Sequence, residues 1–155
     1  MIYTECNPDT ALVKFLGIPK KQVIHLQGKP EVCKQLEKRE YWKGMIDEDP
    51  FSVQPYSYLN KLQEATGLLT VFGLKVLHDA TKNNDLIVLS PKLEGWILKA
   101  AKDAKIDIKQ YNLPEDEEKL RDELKLKNLA KFEKLVNDLK EKSEMVKALE
   151  RLLKE

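Results

Sequence analysis

Three acids stand in a row in WKGMIDEDPFS, residues 42–52, where Asp47, Glu48 and Asp49 directly follow the apolar pair Met45-Ile46. Adjacent carboxylates repel one another and raise one another's pKa unless water, donors or a cation compensate. A further acid, Glu5, closes the opening stretch MIYTE. Acids at the ends of two buried strands suit a hard divalent cation, because Mg2+ takes carboxylate oxygens and keeps several waters. The remaining water positions let such an ion grip and polarise a phosphate. The plainer reading of residues 47–49 is a solvated acidic turn, and a strand-ending glutamate alone means little.

The elements that carry these side chains decide between the readings. MIYTE predicts a strand. NPDTALVKFLG predicts a helix with Asn7 as N-cap, Pro8 at the first helical position, Asp9 in the first turn and Gly17 as its stop. QVIHLQ predicts a second strand, GKPEVCKQLEKRE a helix with Val32, Cys33 and Leu36 on one face, and WKGMID a third strand. PYSYLNKLQEATG is expected to form a helix with Leu59, Leu62 and Ala65 inward and Gly67 ending it. A fourth strand falls within residues 68–78, TKNND is a turn, and LIVLS is a fifth strand. SPKLEGWILKAAKDAKI is the most regular helical pattern, with Ser90 as cap, Pro91 at the opening, and Leu93, Trp96, Ile97, Ala100, Ala101 and Ala104 at helical spacing.

This alternation predicts an α/β fold over residues 1–112, a mainly parallel Rossmann-like sheet with helices on both faces. Ligands of such sheets gather beyond the carboxyl ends of the strands. Glu5, Asp47 and Asp49 fall at those ends, and the helix opening at Pro8 points its positive end at the same edge. Residues 113–155 differ in style. From 115 onward they hold no glycine or proline, and 11 Lys and Arg face 12 acids, so this is no basic tail. Phe132, Leu135, Val136 and Leu139 form one stripe, and Val146, Leu149, Leu152 and Leu153 another, with a break at Lys142-Ser143. A pair of helices covering the domain, or meeting a partner chain or a second copy, is expected.

With 155 residues, 42% of them hydrophobic, the chain suits one domain with a real core. The charged fraction of 34% exceeds the roughly 25% of an average domain and points to an ion-paired surface. Net charge is +1, so a nucleic-acid partner would need a local basic patch. Cys6, Cys33, His25 and His78 do not make a zinc spacing. MIYTECNPD lacks the features of a signal peptide, and no run approaches the roughly 18 apolar residues of a membrane span. No membrane association and a cytoplasmic setting with both thiols free are expected.

At this point the chain resembles the Toprim family. YTECNPDTALVKFLG resembles its first motif, a strand ending in Glu, a short turn, and an Asp before an apolar helix; GMIDEDP resembles its second, a strand ending in Asp-x-Asp. Gly28-Lys29 and the helix from Pro91 to Leu98 are also similar to small stand-alone Toprim-like proteins, and the likeness covers about residues 1–110. The resemblance implies a compact α/β domain and Mg2+ (or Mn2+) dependent chemistry on nucleic-acid phosphodiesters, as in topoisomerases, primases and overcoming-lysogenization-defect nucleases. It implies Glu5 as general acid/base or metal-linked carboxylate, Asp47 and Asp49 as metal ligands, and Asp9 as a brace. Lys29 is a candidate phosphate contact and Glu94 a candidate further ligand. Two departures stand out: Cys6 replaces the Gly that usually follows the Glu, and Pro50-Phe51-Ser52 stands where a Gly often follows the Asp pair.

Other side chains carry weaker signals. Lys82 and Lys92 are candidate phosphate contacts but fit ordinary surface better, Tyr56 and Tyr58 could touch a nucleic acid, and His78 could reach the same edge, although a satisfied strand-end histidine is the better reading; Trp42 and Trp96 suit core packing better than base stacking. Three functions compete. One is a Mg2+-dependent nuclease or phosphoryl-transfer protein. Another is a binding or regulatory subunit of a larger DNA-processing or defence system that kept the fold and lost turnover. The third is a haloacid-dehalogenase-type phosphatase, with Ser90 after its own strand.

Overall fold

The computed structural model of the protein describes residues 1–48, 57–125 and 129–155. Six strands form one sheet in the order β2-β1-β3-β6-β5-β4, from β1 (Ile2–Thr4), β2 (Val23–His25), β3 (Lys43–Asp47), β4 (Gln63–Glu64), β5 (Leu74–Asp79) and β6 (Asn84–Leu89). The pairs β1–β2, β1–β3 and β3–β6 are parallel. β5 folds back antiparallel on β6, and β4 on β5. The fold is therefore α/β and Rossmann-like, as expected, but the sheet is mixed: TKNND closes a hairpin, with Asn83 in the left-handed region at φ 57°.

α1 (Asn7–Phe15) and α2 (Gly28–Glu37) make the crossovers from β1 to β2 and from β2 to β3. Alternating strand residues face opposite sides. Ile2, Met45, Ile87 and Leu89 meet α1 and α3 (Leu93–Asp103) in one core, whereas Tyr3, Ile46, Leu86 and Val88 meet Val32, Cys33 and Leu36 of α2 in the other. Gly44 lets α2 lie this close, because a Cβ there would stand 3.0 Å from Leu86 and 3.1 Å from Val32. Trp96 is buried and donates its indole N–H to the Phe72 carbonyl, and Trp42 packs on Tyr3 beneath the Arg39 guanidinium. Both tryptophans thus pack as expected.

Two helix starts shift. α1 begins at Asn7, with Cys6 rather than Asn7 as N-cap; α3 begins at Leu93, with Lys92 rather than Ser90 as N-cap. The helix expected across residues 55–67 is not formed where the chain is described. Ser57–Lys61 is a 3-10 turn, β4 follows, and a second 3-10 segment runs from Gly67 to Phe72. Tertiary bonds override the local propensity there: Tyr58 donates to Asp79, the Ala65 N–H to the Val76 carbonyl, and the Val76 N–H to Thr66 Oγ1. Leu59 and Leu62 are only half-buried, and Ala65 is exposed.

The carboxy-terminal extension makes three helices rather than two: α4 (Glu117–Leu124), α5 (Ala130–Lys142) and α6 (Glu144–Lys154). Ser143 ends α5 and caps α6, its hydroxyl accepting from the Val146 N–H, at the expected break. Both predicted stripes are buried, apart from half-buried Leu152, in the same core as α1 and α3. The extension therefore covers its own domain. Among the described residues, no helix is long and apolar enough to cross a membrane. Gly44→Val overfills the gap between α2 and the sheet. It is expected to lower the urea-unfolding free energy by about 1–3 kcal/mol with little change in the m-value.

Candidate functional site at the carboxyl rim

α1 follows β1 on one face of the sheet and α2 follows β2 on the other, so the rim opens between the carboxyl ends of β1 and β3, the switch point at which such sheets bind ligands. β1 stops at Thr4. The next residue, Glu5, turns its carboxylate toward β3, and its Oε2 accepts the Asp47 N–H at 3.0 Å. Asp47 Oδ1 in turn accepts the Leu93 N–H, 3.1 Å away at the first turn of α3. Glu5 thus reaches Asp47, 42 positions away, through the Asp47 backbone N–H. Asp49 lies outside the described residues.

Glu48 faces the other way. Its carboxylate pairs with Lys75 at 2.5 Å and accepts from the Ser90 hydroxyl at 3.2 Å, bonds that hold its pKa below the usual carboxylate range. Hence only Asp47 of the pair Asp47-Glu48 faces the rim cavity. Ser90, which a haloacid-dehalogenase-type phosphatase would place beside its nucleophile, is engaged with Glu48.

The cavity has a volume of about 530 Å3, and its wall includes Glu5, Asp47 and Glu94 together with Lys92, Arg121 and Lys125. Behind it lies Asp9, fully buried. The Cys6 thiol donates to Asp9 Oδ2 at 3.1 Å, while Oδ1 is buried without a hydrogen-bond partner. A Thr4–Thr10 hydroxyl pair at 2.6 Å ties the first turn of α1 to β1 and fixes this arrangement. Cys6 itself is extended at φ −150°, so its backbone does not require the glycine of the Toprim pattern.

The charges conflict. Burial first, then Glu5 and Glu94, push the Asp47 carboxyl up to about 7, against the Leu93 N–H and the Lys29 ammonium. Burial, then Asp47, push Asp9 well above its ordinary value despite the Cys6 bond. Burial pushes the Cys6 thiol far up as well, so it is no nucleophile at neutral pH. Lys29 is buried and donates to the Glu48 carbonyl at 2.7 Å. Its role is thus a fixed positive charge behind Asp47 rather than a phosphate contact in the cavity.

Three candidates fall elsewhere. Lys82 donates to the Glu37 carbonyl and His78 bonds Asp85 at 2.7 Å, both by the β5–β6 hairpin turn at the opposite rim. Tyr58 is buried on Asp79 and Asn84, which removes it from any nucleic-acid contact; Tyr56 lies outside the described residues. Conversely, Arg121 and Lys125 escape sequence reasoning. Their i, i+4 spacing on a charged helix matches a solvated face, and only the packing of α4 on α3 brings them over the rim.

Among the described residues, no group of three or more His, Cys, Asp and Glu side chains is set to hold a metal ion. The donors nevertheless suit Mg2+, which is commonly held through one or two carboxylates, several waters and substrate phosphates. Glu5 and Asp47 supply oxygen ligands only. No family model, curated protein or solved structure matches the chain.

The raised Asp47 pKa predicts a pH signature. The folded state binds a proton at Asp47 more tightly than the unfolded chain between about pH 4 and pH 7, so the contribution of Asp47 to metal-free stability is fully present below pH 4, is lost as pH rises to about 7, and then levels. Asp47→Asn keeps the acceptor for Leu93 and removes the charge. In urea titrations with EDTA it is expected to be about 2 kcal/mol more stable than the parent at pH 8, the gap closing below pH 4.

Proposed function

We propose that the rim cavity performs Mg2+- or Mn2+-dependent chemistry on a nucleic-acid phosphodiester, the activity implied by the resemblance to Toprim domains, with Asp47 and Glu5 holding the cation. A cation bound there would supply positive charge to the phosphoryl oxygens. One observation carries the reading: Glu5 and Asp47 meet across the β1–β3 switch point inside a cavity that also presents Lys92, Arg121 and Lys125. An acidic floor alone repels phosphate, and a basic wall alone binds it without chemistry. Both together orient a phosphodiester over the carboxylates.

In this reading Glu5 moves the proton, held in place by the Asp47 N–H. Asp47 is aimed by the Leu93 N–H, and Asp9 braces the turn that carries Glu5 through the Cys6 bond. α1 and α2 also direct amino ends to this rim without a side-chain cap, and their positive ends favour an anion there, although the Gly28 N–H is taken by the Glu5 carbonyl and Pro8 and Pro30 have none. A second reading, a binding or regulatory subunit without turnover, draws on the same hydrogen bond. Glu5 completes the β1–β3 ladder there, a duty independent of chemistry.

The test is Mn2+ titration calorimetry together with cleavage of supercoiled and single-stranded DNA and of RNA. The parent is expected to bind Mn2+ and cleave. Asp47→Ala is expected to lose both. Glu5→Gln is expected to cleave about 100-fold more slowly or worse. Mn2+ binding without cleavage of any of these substrates selects the second reading; no Mn2+ binding removes the metal site altogether.

A further inference from the structure

A second cavity, of about 360 Å3, lies beside the first and shares Asn7 and Lys125 with it. It runs along the outer side of α1, past Thr10 and Ala11 to Lys14 and Phe15. Adjoining at Asn7 and Lys125, the two cavities make up a two-part trough. Its acids, Glu5, Asp47 and Glu94, all lie in the first cavity; the side chains that wall the second include Lys14 and Lys125 and no acid. Lys14, Arg121 and Lys125 make no ion pair among the described residues.

Elementary geometry sets the scale. Asn7 to Lys14 spans seven residues of α1, roughly 10 Å at 1.5 Å per residue. A single phosphate or small phosphomonoester would fill the acid end and leave the second cavity empty. An extended backbone carries its charges onward from the reacting phosphate, and each would meet a cation rather than a carboxylate. A segregated array, acids at the end of the trough and bases along it, suits a chain of phosphates entering in one direction.

We infer that Lys14, Arg121 and Lys125 form a positioning track for an extended single strand of nucleic acid, whose reacting phosphate lies at Glu5 and Asp47 and whose neighbouring phosphates run along α1. This deepens the proposed phosphodiester chemistry and rests on that reading. It assigns the carboxy-terminal extension a role in substrate binding through α4. The trough is walled by α1 on one side and by Lys125 and Leu129 on the other, and its chemistry is that of a backbone contact, so affinity should depend on strand length and salt and little on sequence.

The experiment is fluorescence anisotropy of labelled oligothymidylates of two and twelve nucleotides, and of a twelve-base-pair duplex, in EDTA. The parent, Lys14→Gln and Arg121→Gln are compared over a series of salt concentrations. The twelve-nucleotide strand is expected to bind at least 10-fold more tightly than the dinucleotide and than the duplex. Each variant is expected to weaken its binding about 3- to 10-fold and to flatten the salt slope by roughly 0.7, the value for one phosphate contact on a single strand. Mn2+ affinity, measured alongside, is expected to stay unchanged in Lys14→Gln, and circular dichroism checks the fold. Equal binding of both strand lengths, tighter binding of the duplex, or variants that match the parent would overturn the track. Those outcomes leave the metal and cleavage results of the preceding section intact, so the two readings fail separately. Absence of oligonucleotide binding together with normal Mn2+ binding also overturns the track.

Discussion

β1 stops short of β3, its last residue pairing with Met45. It ends at Thr4, while β3 runs on to Asp47, whose amide would face the switch point without a backbone acceptor. The Glu5 carboxylate fills that gap and continues the ladder with a side chain. A carboxylate is a stronger acceptor than a carbonyl, and its charge comes with it. From this one substitution follows the character of the rim: a negative charge fixed beside Asp47, an α3 amide recruited to hold Asp47, and a lysine buried nearby on α2. Asp9 belongs to the same economy of crowded charge, with one oxygen on a thiol and the other on nothing.

The opposite wall is built by another part of the chain. α4 is fixed by its Asp116 cap, which accepts the Lys119 N–H, and by Leu120 and Leu124 in the core. The same helix turns Arg121 outward to the cavity, with Lys125 following at its end. Burial on one side of a helix therefore determines which charges stand over the acids. Glu117 presses against Gly95 of α3, where any side chain would meet it, so the two helices approach closely at the mouth of the site.

Much of this is legible from residue patterns because the signals are local. The strand end at Asp47, the turn at TKNND and the break at Lys142-Ser143 all rest on alternation, turn residues or a capping hydroxyl, whereas β1 ends at Thr4, one residue before the Glu5 expected to close it. Helix starts shift by one or two residues because the first turns of α1 and α3 are held by tertiary bonds rather than by the side-chain caps that Asn7 and Ser90 suggest. Residues 57–72 differ most, since Tyr58 and Thr66 are drawn onto β5 and the hairpin by partners far away in sequence. The acids at positions 5 and 47 were visible because they terminate apolar strands. Arg121 and Lys125 were not, because nothing in a Glu- and Lys-rich helix distinguishes a cation over a cavity from one in water.

Ser143 closes α5 and opens α6 with no residue between them, so α6 is turned straight back onto the domain. There the Leu152 carbonyl accepts from Lys43, at the very start of β3, and Leu149 and Leu153 complete the core beneath α1 and α3. During synthesis on the ribosome the sheet strands emerge long before this cover does. The part of α3 that α6 covers and the foot of β3 stay wet and unprotected until α6 leaves the exit tunnel. The nascent chain thus acquires its rim acids well before α6 arrives to cover that part of the core.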